Sequence, residues 1–192
     1  MNARDFRVLA DQKMTGKWGE AAVAYLIYGV ITGAISGGTA GIATIILTGP
    51  LYLGFVMFIV AISQGEKPEF AKLFDGFKNF ANAMILGILQ MLYLALWSLL
   101  LLIPAIIKSF SYSMSYYILN ENPTMNPNDA ITLSRKMMDG HKWRLFCLRF
   151  SYIGWILLSI LTFGILFLWV APKMELAQYE FYLDLKLKSS NN

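Results

Sequence analysis

Between Glu20 and Glu66 the chain carries no charged residue, and two further gaps separate Lys78 from Lys108 and Arg149 from Lys173. A crossing of the hydrocarbon core takes about 20 consecutive apolar residues. The first gap therefore has room for two helices and each of the others for at least one. Water-soluble cores are not built from uninterrupted runs of this length, so the pattern predicts an integral membrane protein. Charged residues make up only 15% of the chain, against roughly 25% in soluble domains. The first apolar run begins near Ala21, extends far past the roughly 7–15 apolar residues of a signal peptide and lacks a cleavage site, so no cleaved leader is expected. Cys147 is the single cysteine, which excludes an intrachain disulfide. The net charge of +4 sits beside the apolar runs, where membrane lipids with anionic headgroups, rather than nucleic acid, are the matching partner.

A basic, glycine-punctuated cadence recurs three times, as KMTGKW at 13–18, KLFDGFKNF at 72–80 and RKMMDGHKW at 135–143. Each copy closes a short amphipathic segment and opens an apolar one. In the third, Asn126 can cap a helix, Pro127 suits its first position and Asp129 complements the free N–H groups. Ala130, Ile131, Leu133, Met137 and Met138 then form an apolar side, and Gly140 stops the helix in a left-handed turn. The second copy has Pro68 as opener, Phe70, Leu73 and Phe74 as its apolar face and Gly76 as its stop. The first has Asn2, then Phe6, Leu9 and Ala10, then Gly16. Such segments suit the membrane surface, with Lys17, Lys78 and Lys142 towards headgroups and Trp18, Phe80 and Trp143 at the boundary.

The apolar halves repeat as well: TAGIATIILTGP at 39–50 is echoed by TFGILFLWVAP at 162–172. The first echo lies where two apolar segments must fold back on each other, so Gly164, and Pro104 in the middle copy, mark hairpin tips by analogy. As one helix, residues 80–119 would be about 60 Å long, twice the roughly 30 Å core. The fold class expected is therefore all-α, a polytopic membrane helical bundle. Six transmembrane helices at 18–36, 42–63, 80–103, 105–120, 145–161 and 165–186 form three hairpins, each preceded by a cytoplasmic amphipathic helix. They make a single integral membrane domain over 1–192, with internal repeats at about 1–63, 64–120 and 121–188. The segments 1–17, 64–79, 120–144 and 187–192 then share one side and hold twelve of the 16 lysines and arginines. Positive residues stay cytoplasmic, so both termini are placed inside. A five-crossing arrangement, with 147–171 as one long span and the tail outside, is the rival.

Long stretches carry a resemblance: LTGPLYLGF, LFDGFKNF, LWSLLLLIPAIIKSFSYSMSYYIL, SRKMMDGHKWRLFCLRFSYIGWILLSILTFGI and the closing EFYLDL. Over nearly its whole length the chain resembles a bacterial family of uncharacterised integral membrane proteins, the domain of unknown function 975. That family is distantly similar to the membrane domains attached to some glycerophosphodiester phosphodiesterases, although this chain has no room for the catalytic domain. Lys173 stands where an aromatic residue would be expected after the proline of the last helix. The resemblance implies the helical membrane fold and a multi-pass place in the bacterial cell (inner) membrane. It supplies no activity and no catalytic residues to carry over.

The residues themselves argue against catalysis. His141 is the only histidine and sits in a basic surface segment, so no histidine cluster exists for a metal or a nucleophile. Glu175 and Glu180, five apart, face different sides of a helix, and phosphate-loop and dinucleotide motifs are absent. No enzyme, no catalytic residue, no metal and no cofactor are expected.

Polar residues inside the spans are more telling. Ser109, Tyr112, Ser113, Tyr116 and Asn120 recur at spacings of three and four, making one polar stripe on the fourth helix. Lipid disfavours such a face, so it looks into the bundle, either as interhelical hydrogen-bond glue or as the lining of a polar cavity. Gln90 in the third helix invites the same two readings. Lys173 and Glu175 fall near the midplane of a six-span bundle, where a lone charge costs at least ~2.5–3.5 kcal/mol. They either belong to the functional site or mark five crossings. Arg149 can snorkel from the start of its helix.

Gly29, Gly33 and Gly37 recur every four residues, a smooth groove for helix packing. Thr48-Gly49-Pro50 makes a tolerated kink in the second span. The function expected is non-enzymatic binding or transport of a small amphiphile or lipid. The alternative is an accessory, immunity or stress-response protein that acts through a membrane protein partner or as a homo-oligomer.

Overall fold

The computed structural model describes residues 1–38, 42–67, 69–100 and 102–190. The first echo's Thr39 and Gly41, and the helix opener Pro68, lie outside the described residues. Helix α1 runs Ala3–Met14, α2 Trp18–Gly38 and α3 Ile42–Ser63. A short α4, Lys72–Asp75, passes through a 3-10 turn at Gly76–Asn79 into α5, Phe80–Leu100. There follow α6 Leu102–Tyr112, α7 Ser115–Glu121, α8 Pro127–Met137, α9 Lys142–Phe150, α10 Ile153–Leu161 and α11 Phe167–Ser190. No strand occurs among the described residues. Among the described residues, four stretches are long and apolar enough to cross a membrane: Trp18–Gly37, Ala43–Ser63, Lys72–Leu99 and Lys142–Leu161.

Successive apolar helices pack antiparallel. Tyr28 of α2 stacks on Phe55 of α3 at 5.4 Å, and near the turn Thr44 Oγ1 meets Ser36 Oγ at 3.3 Å. In α5 and α6, Gln90 Nε2 donates to the Tyr112 carbonyl, while closer to the turn Lys108 lies over the Trp97 ring. Arg149 of α9 reaches Gln178 of α11, and Arg144 reaches Asp184. The third turn is held by Thr162 Oγ1, which accepts from Leu166 N–H, and Gly164 there has φ +83° as its tip position requires.

Helix α3 is the centre. It packs against α2, α5, α7 and α11, and Leu53, Phe55, Val56, Phe58, Ile59 and Ile62 along it are all buried. The apolar residues the bundle does not bury point outwards, among them Leu26 and Val30 of α2, Leu92 and Leu99 of α5, and Leu157 and Ile160 of α10. An outer surface of this kind is what a chain presents to lipid rather than to water.

Five expectations are corrected in detail. The helix expected at 105–120 divides at Ser113–Met114 into α6 and α7. Ser134 of α8 makes the break tolerable: its hydroxyl accepts from Met114 N–H at 3.1 Å and donates to the Ser111 carbonyl at 2.7 Å, satisfying backbone groups the helix has released. Likewise the helix expected at 145–161 divides at Ser151–Tyr152, where Arg7 of α1 donates to the freed Ser151 carbonyl. The amphipathic segments before the first and third hairpins turn much of their apolar faces into the protein, whereas Phe70 and Phe74 before the second stay exposed. Phe6, Ala10 and Met14 of α1 and Ala130 and Ile131 of α8 are buried in the protein, and Phe6 meets Phe181 of α11 edge-on at 5.3 Å.

Gly16 and Gly140 are left-handed, but Gly76, at which α4 ends, is right-handed (φ −59°) and leads straight into the 3-10 turn. It is glycine because a Cβ there would collide with the Pro50 carbonyl and Gly54 N of α3. Finally, Gly29, Gly33 and Gly37 form no packing groove among the described residues, since a Cβ on any of them would meet none of those within 4 Å. The close approaches belong instead to Gly49 on Ala83, Gly54 on Leu73 and Gly87 on Gly49.

Candidate functional site

Helices α3, α5 and α6 form most of the wall of a partly open cavity of about 530 Å³, to which α2, α7, α9 and α11 contribute one residue each. That volume lies within the range of about 300–1,000 Å³ of small-molecule sites. Gln90, Ser109, Tyr112, Ser113 and Tyr116 all line it. The spacings of three and four along the 109–116 segment carry these side chains to one side even across the break at Ser113–Met114. Asn120, at the end of the same stripe, lies apart beside Glu66 and Lys72.

The serines are bonded locally: Ser109 Oγ donates to the Ile106 carbonyl and Ser113 Oγ to Phe110, each at 2.7 Å. Their lone pairs stay free to accept. The Tyr112 and Tyr116 hydroxyls make no hydrogen bond among the described residues, and neither is a sealed, unsatisfied group. A side chain this well buried that leaves its hydroxyl open offers a donor to whatever enters. Tyr52 packs edge-on against Tyr116 at 4.7 Å, and Tyr28 completes an aromatic collar. Ile45, Met91 and Leu94 form the apolar part of the lining.

Arg149 is the one charged residue among those lining the cavity. Its Nε and Nη2 both donate to Gln178 Oε1, at 3.1 and 2.7 Å, and its guanidinium lies 5.3 Å from the centre of the Phe110 ring. It has no ion pair among the described residues. A neutral amide thus holds a cation that would ordinarily take a carboxylate.

The nearest candidate carboxylate, Glu175, is engaged elsewhere. Its Oε1 accepts from Tyr52 at 2.7 Å and from Tyr117 at 2.5 Å. Gln178 Nε2 in turn donates to the Tyr117 hydroxyl at 3.3 Å, so guanidinium, amide, phenol and carboxylate form one chain. Glu175 lines only a second space of about 120 Å³, next to Arg149 and Gln178.

Lys173 is not part of this site. Two positions along a helix turn the side chain by about 200°, so it leaves the opposite side of α11 from Glu175. There it pairs with Asp11 of α1, near the rings of Trp18, Tyr152 and Trp155 at 5.8, 6.0 and 5.9 Å. Trp18 begins α2 and Asp11 belongs to α1, so the lysine stands at the α1 end of the bundle with a partner, and its charge is not alone.

Gln178, Tyr28 and Tyr52 were not singled out by the sequence, and Arg149 was read only as a residue able to snorkel. The available signal was the triplet spacing of Glu175 and Gln178, which places both on one face of α11.

Among the described residues no group of His, Cys, Asp and Glu is arranged to hold a metal ion. The features define a class: a helical bundle with, among the described residues, four stretches able by length and composition to cross a membrane, and a largely apolar, aromatic cavity into which a few polar groups and one arginine reach. The chain belongs to the family described as "Protein of unknown function (DUF975)", which matches residues 1–109 and 99–189. No curated protein matches the chain, and no solved structure does.

Proposed function

We propose that this protein is a multi-pass protein of the bacterial cell membrane that binds, or passes across the bundle, a small amphiphile or lipid, without catalysing a reaction. The observation that carries the reading is the cavity of about 530 Å³, lined by the polar stripe of α6 and α7 together with exposed-facing apolar residues of α3 and α5. An amphiphile is the ligand that uses both halves of such a lining.

In the arrangement we favour, the chain crosses six times as three hairpins with both termini cytoplasmic. The antiparallel pairing of α2 with α3, α5 with α6, and α9–α10 with α11 supports it, as does the basic character of the segments that precede each pair. A topology reporter fused after Lys188 tests it: a cytoplasmic signal is expected, and a periplasmic one would leave five crossings. The binding itself is tested by native mass spectrometry of the protein extracted from its membrane. A retained amphiphile is expected, and Ser109→Trp, which fills the cavity, should expel it.

A second reading, an accessory protein working through a membrane partner or a second copy, draws on one observation. Gly29, Gly33 and Gly37 of α2 are exposed with open space beside them. A stoichiometric partner that survives purification, and that is lost in Gly33→Leu, would favour it.

A further inference from the structure

We infer that the cavity selects amphiphiles with an anionic headgroup, phosphate or carboxylate, and that Arg149 is the residue that grips it. The inference rests on the amphiphile reading above and narrows its ligand. Three observations lead to it.

The first is charge. Arg149 is the one ionised side chain among the cavity-lining residues, and it has no ion pair among the described residues. The second is geometry. Gln178 takes two of its N–H groups, on Nε and Nη2, so the guanidinium is oriented while its remaining donors are left for a ligand. Arginine's fork matches carboxylate and phosphate oxygens in pairs, which an amide oxygen cannot reproduce. The third is the absence of an anionic rival. The Glu175 carboxylate accepts from both Tyr52 and Tyr117 and lines only the neighbouring small space, so it does not occupy the headgroup position.

The collar deserves the opposite question, because aromatic rings alone would also suit a quaternary ammonium. The guanidinium decides against it: an ammonium in this cavity would meet a like charge with no carboxylate lining to offset it. The two open phenols, Tyr112 and Tyr116, add neutral O–H donors for anionic oxygens beside the stronger, charged donors of Arg149. Headgroup recognition is thereby cationic at one residue and neutral at the rest. The chain of the ligand is left to Ile45, Met91 and Leu94.

The test uses the full-length protein in detergent and amphiphiles of equal chain length: a lysophosphatidic acid, a fatty acid, a lysophosphatidylcholine and a monoacylglycerol. Binding is read by native mass spectrometry and by calorimetric titration. The two anionic ligands should bind at least about tenfold more tightly than the zwitterionic and neutral ones. Arg149→Gln should remove that preference, weakening the two anionic ligands far more than the monoacylglycerol, and Arg149→Lys should keep part of it. Which of the two anionic ligands binds more tightly then distinguishes phosphate from carboxylate recognition.

Equal affinity across all four ligands, or a preference that survives Arg149→Gln, would overturn the inference while the amphiphile reading stood. Competition by inorganic phosphate as strong as by the lysophosphatidic acid would overturn it too, because the chain would then contribute nothing. If none of the four binds, or if Ser109→Trp binds them as well as the wild type does, the amphiphile reading itself fails. Should Arg149→Gln not fold, as judged by size-exclusion chromatography, Arg149→Lys and the four-ligand comparison on the wild type still decide.

Discussion

Helices α2 and α3 are both apolar, both rich in glycine and both of spanning length, yet they occupy opposite situations. In α3 67% of the span is buried within the protein, in α2 only 17%. Hydropathy follows the same order, and the glycines show where the backbones meet. Gly49 and Gly54 of α3 admit the Ala83 and Leu73 backbones, and Gly76 returns the contact from the other side. Gly29, Gly33 and Gly37 of α2 admit nothing among the described residues. Glycine spacing therefore marks where a backbone is able to approach, and the neighbour decides whether one does.

The largest effect should come from putting a side chain into the α3 contact. Gly54→Val would drive its Cβ into the Leu73 carbonyl, a backbone group with no rotamer to escape through. Overpacking typically costs ~1–3 kcal/mol, and a backbone obstacle puts this change at about 3 kcal/mol or beyond. Loss of monodisperse protein on size-exclusion chromatography is the expected readout. A Gly54→Val protein as heat-stable as the wild type would break the contrast between the two helices.

Next in size is the tie at the end of α3. Ser63 and Lys13 both bond the buried Glu180 carboxylate, Lys13 Nζ at 2.6 Å. Lys13→Met would leave that carboxylate with Ser63 alone. Breaking a buried pair costs about 3–5 kcal/mol, and because Lys13 keeps 30% of its side-chain exposure a loss of about 2–3 kcal/mol is expected. Denaturation midpoints of the single variant and of Lys13→Met/Glu180→Leu check it, since the double variant should recover most of the loss.

These two contacts also show what a sequence can and cannot disclose. The charge gaps placed α2, α3 and α5, and Gly164 marked the last tip, because burying an uncharged run is a local demand that leaves a local trace. The spacing of Ser109, Tyr112, Ser113 and Tyr116 is a local trace of the same kind, and these four line one space. The breaks at Ser113–Met114 and Ser151–Tyr152 left none, because the groups that make them tolerable, Ser134 and Arg7, are distant in the chain. Arg149 looked like an interfacial residue able to snorkel, and only the neutrality of its partner Gln178 makes it notable. Lys173 and Glu175 looked like one site because they are close in sequence, but helical rotation separates them onto Asp11 and onto Tyr52 with Tyr117.

A smaller effect sharpens the α2 side of the comparison. Gly33→Leu meets open space, so it should not weaken the isolated chain, and the gain in helix propensity is worth at most about 1 kcal/mol. An unchanged or slightly raised melting temperature is expected. If the same variant instead loses a second copy or a co-purifying protein, α2 has a partner outside this chain, and its glycines resemble those of α3 after all.

The smallest effect separates the rim from the centre. His141 precedes α9, where burial, and then the positive charges of Arg144 and Lys188, hold its pKa below the usual value against the weaker pull of Asp184 and Asp139. The fold thus prefers the neutral ring, whereas the unfolded chain takes up its proton near pH 6.5. As pH falls through about 6.5 the unfolded state binds the proton first, so stability should decline on acidification. Helix α3 carries no His, Asp, Glu, Lys or Arg from Ile42 to Ser63 and adds nothing of its own to that slope. Melting temperatures of the wild type and His141→Gln between pH 7.5 and 5.5 isolate the contribution. The wild type should lose slightly more than the variant, and identical slopes would mean that the ring is no worse placed for protonation than in the unfolded chain.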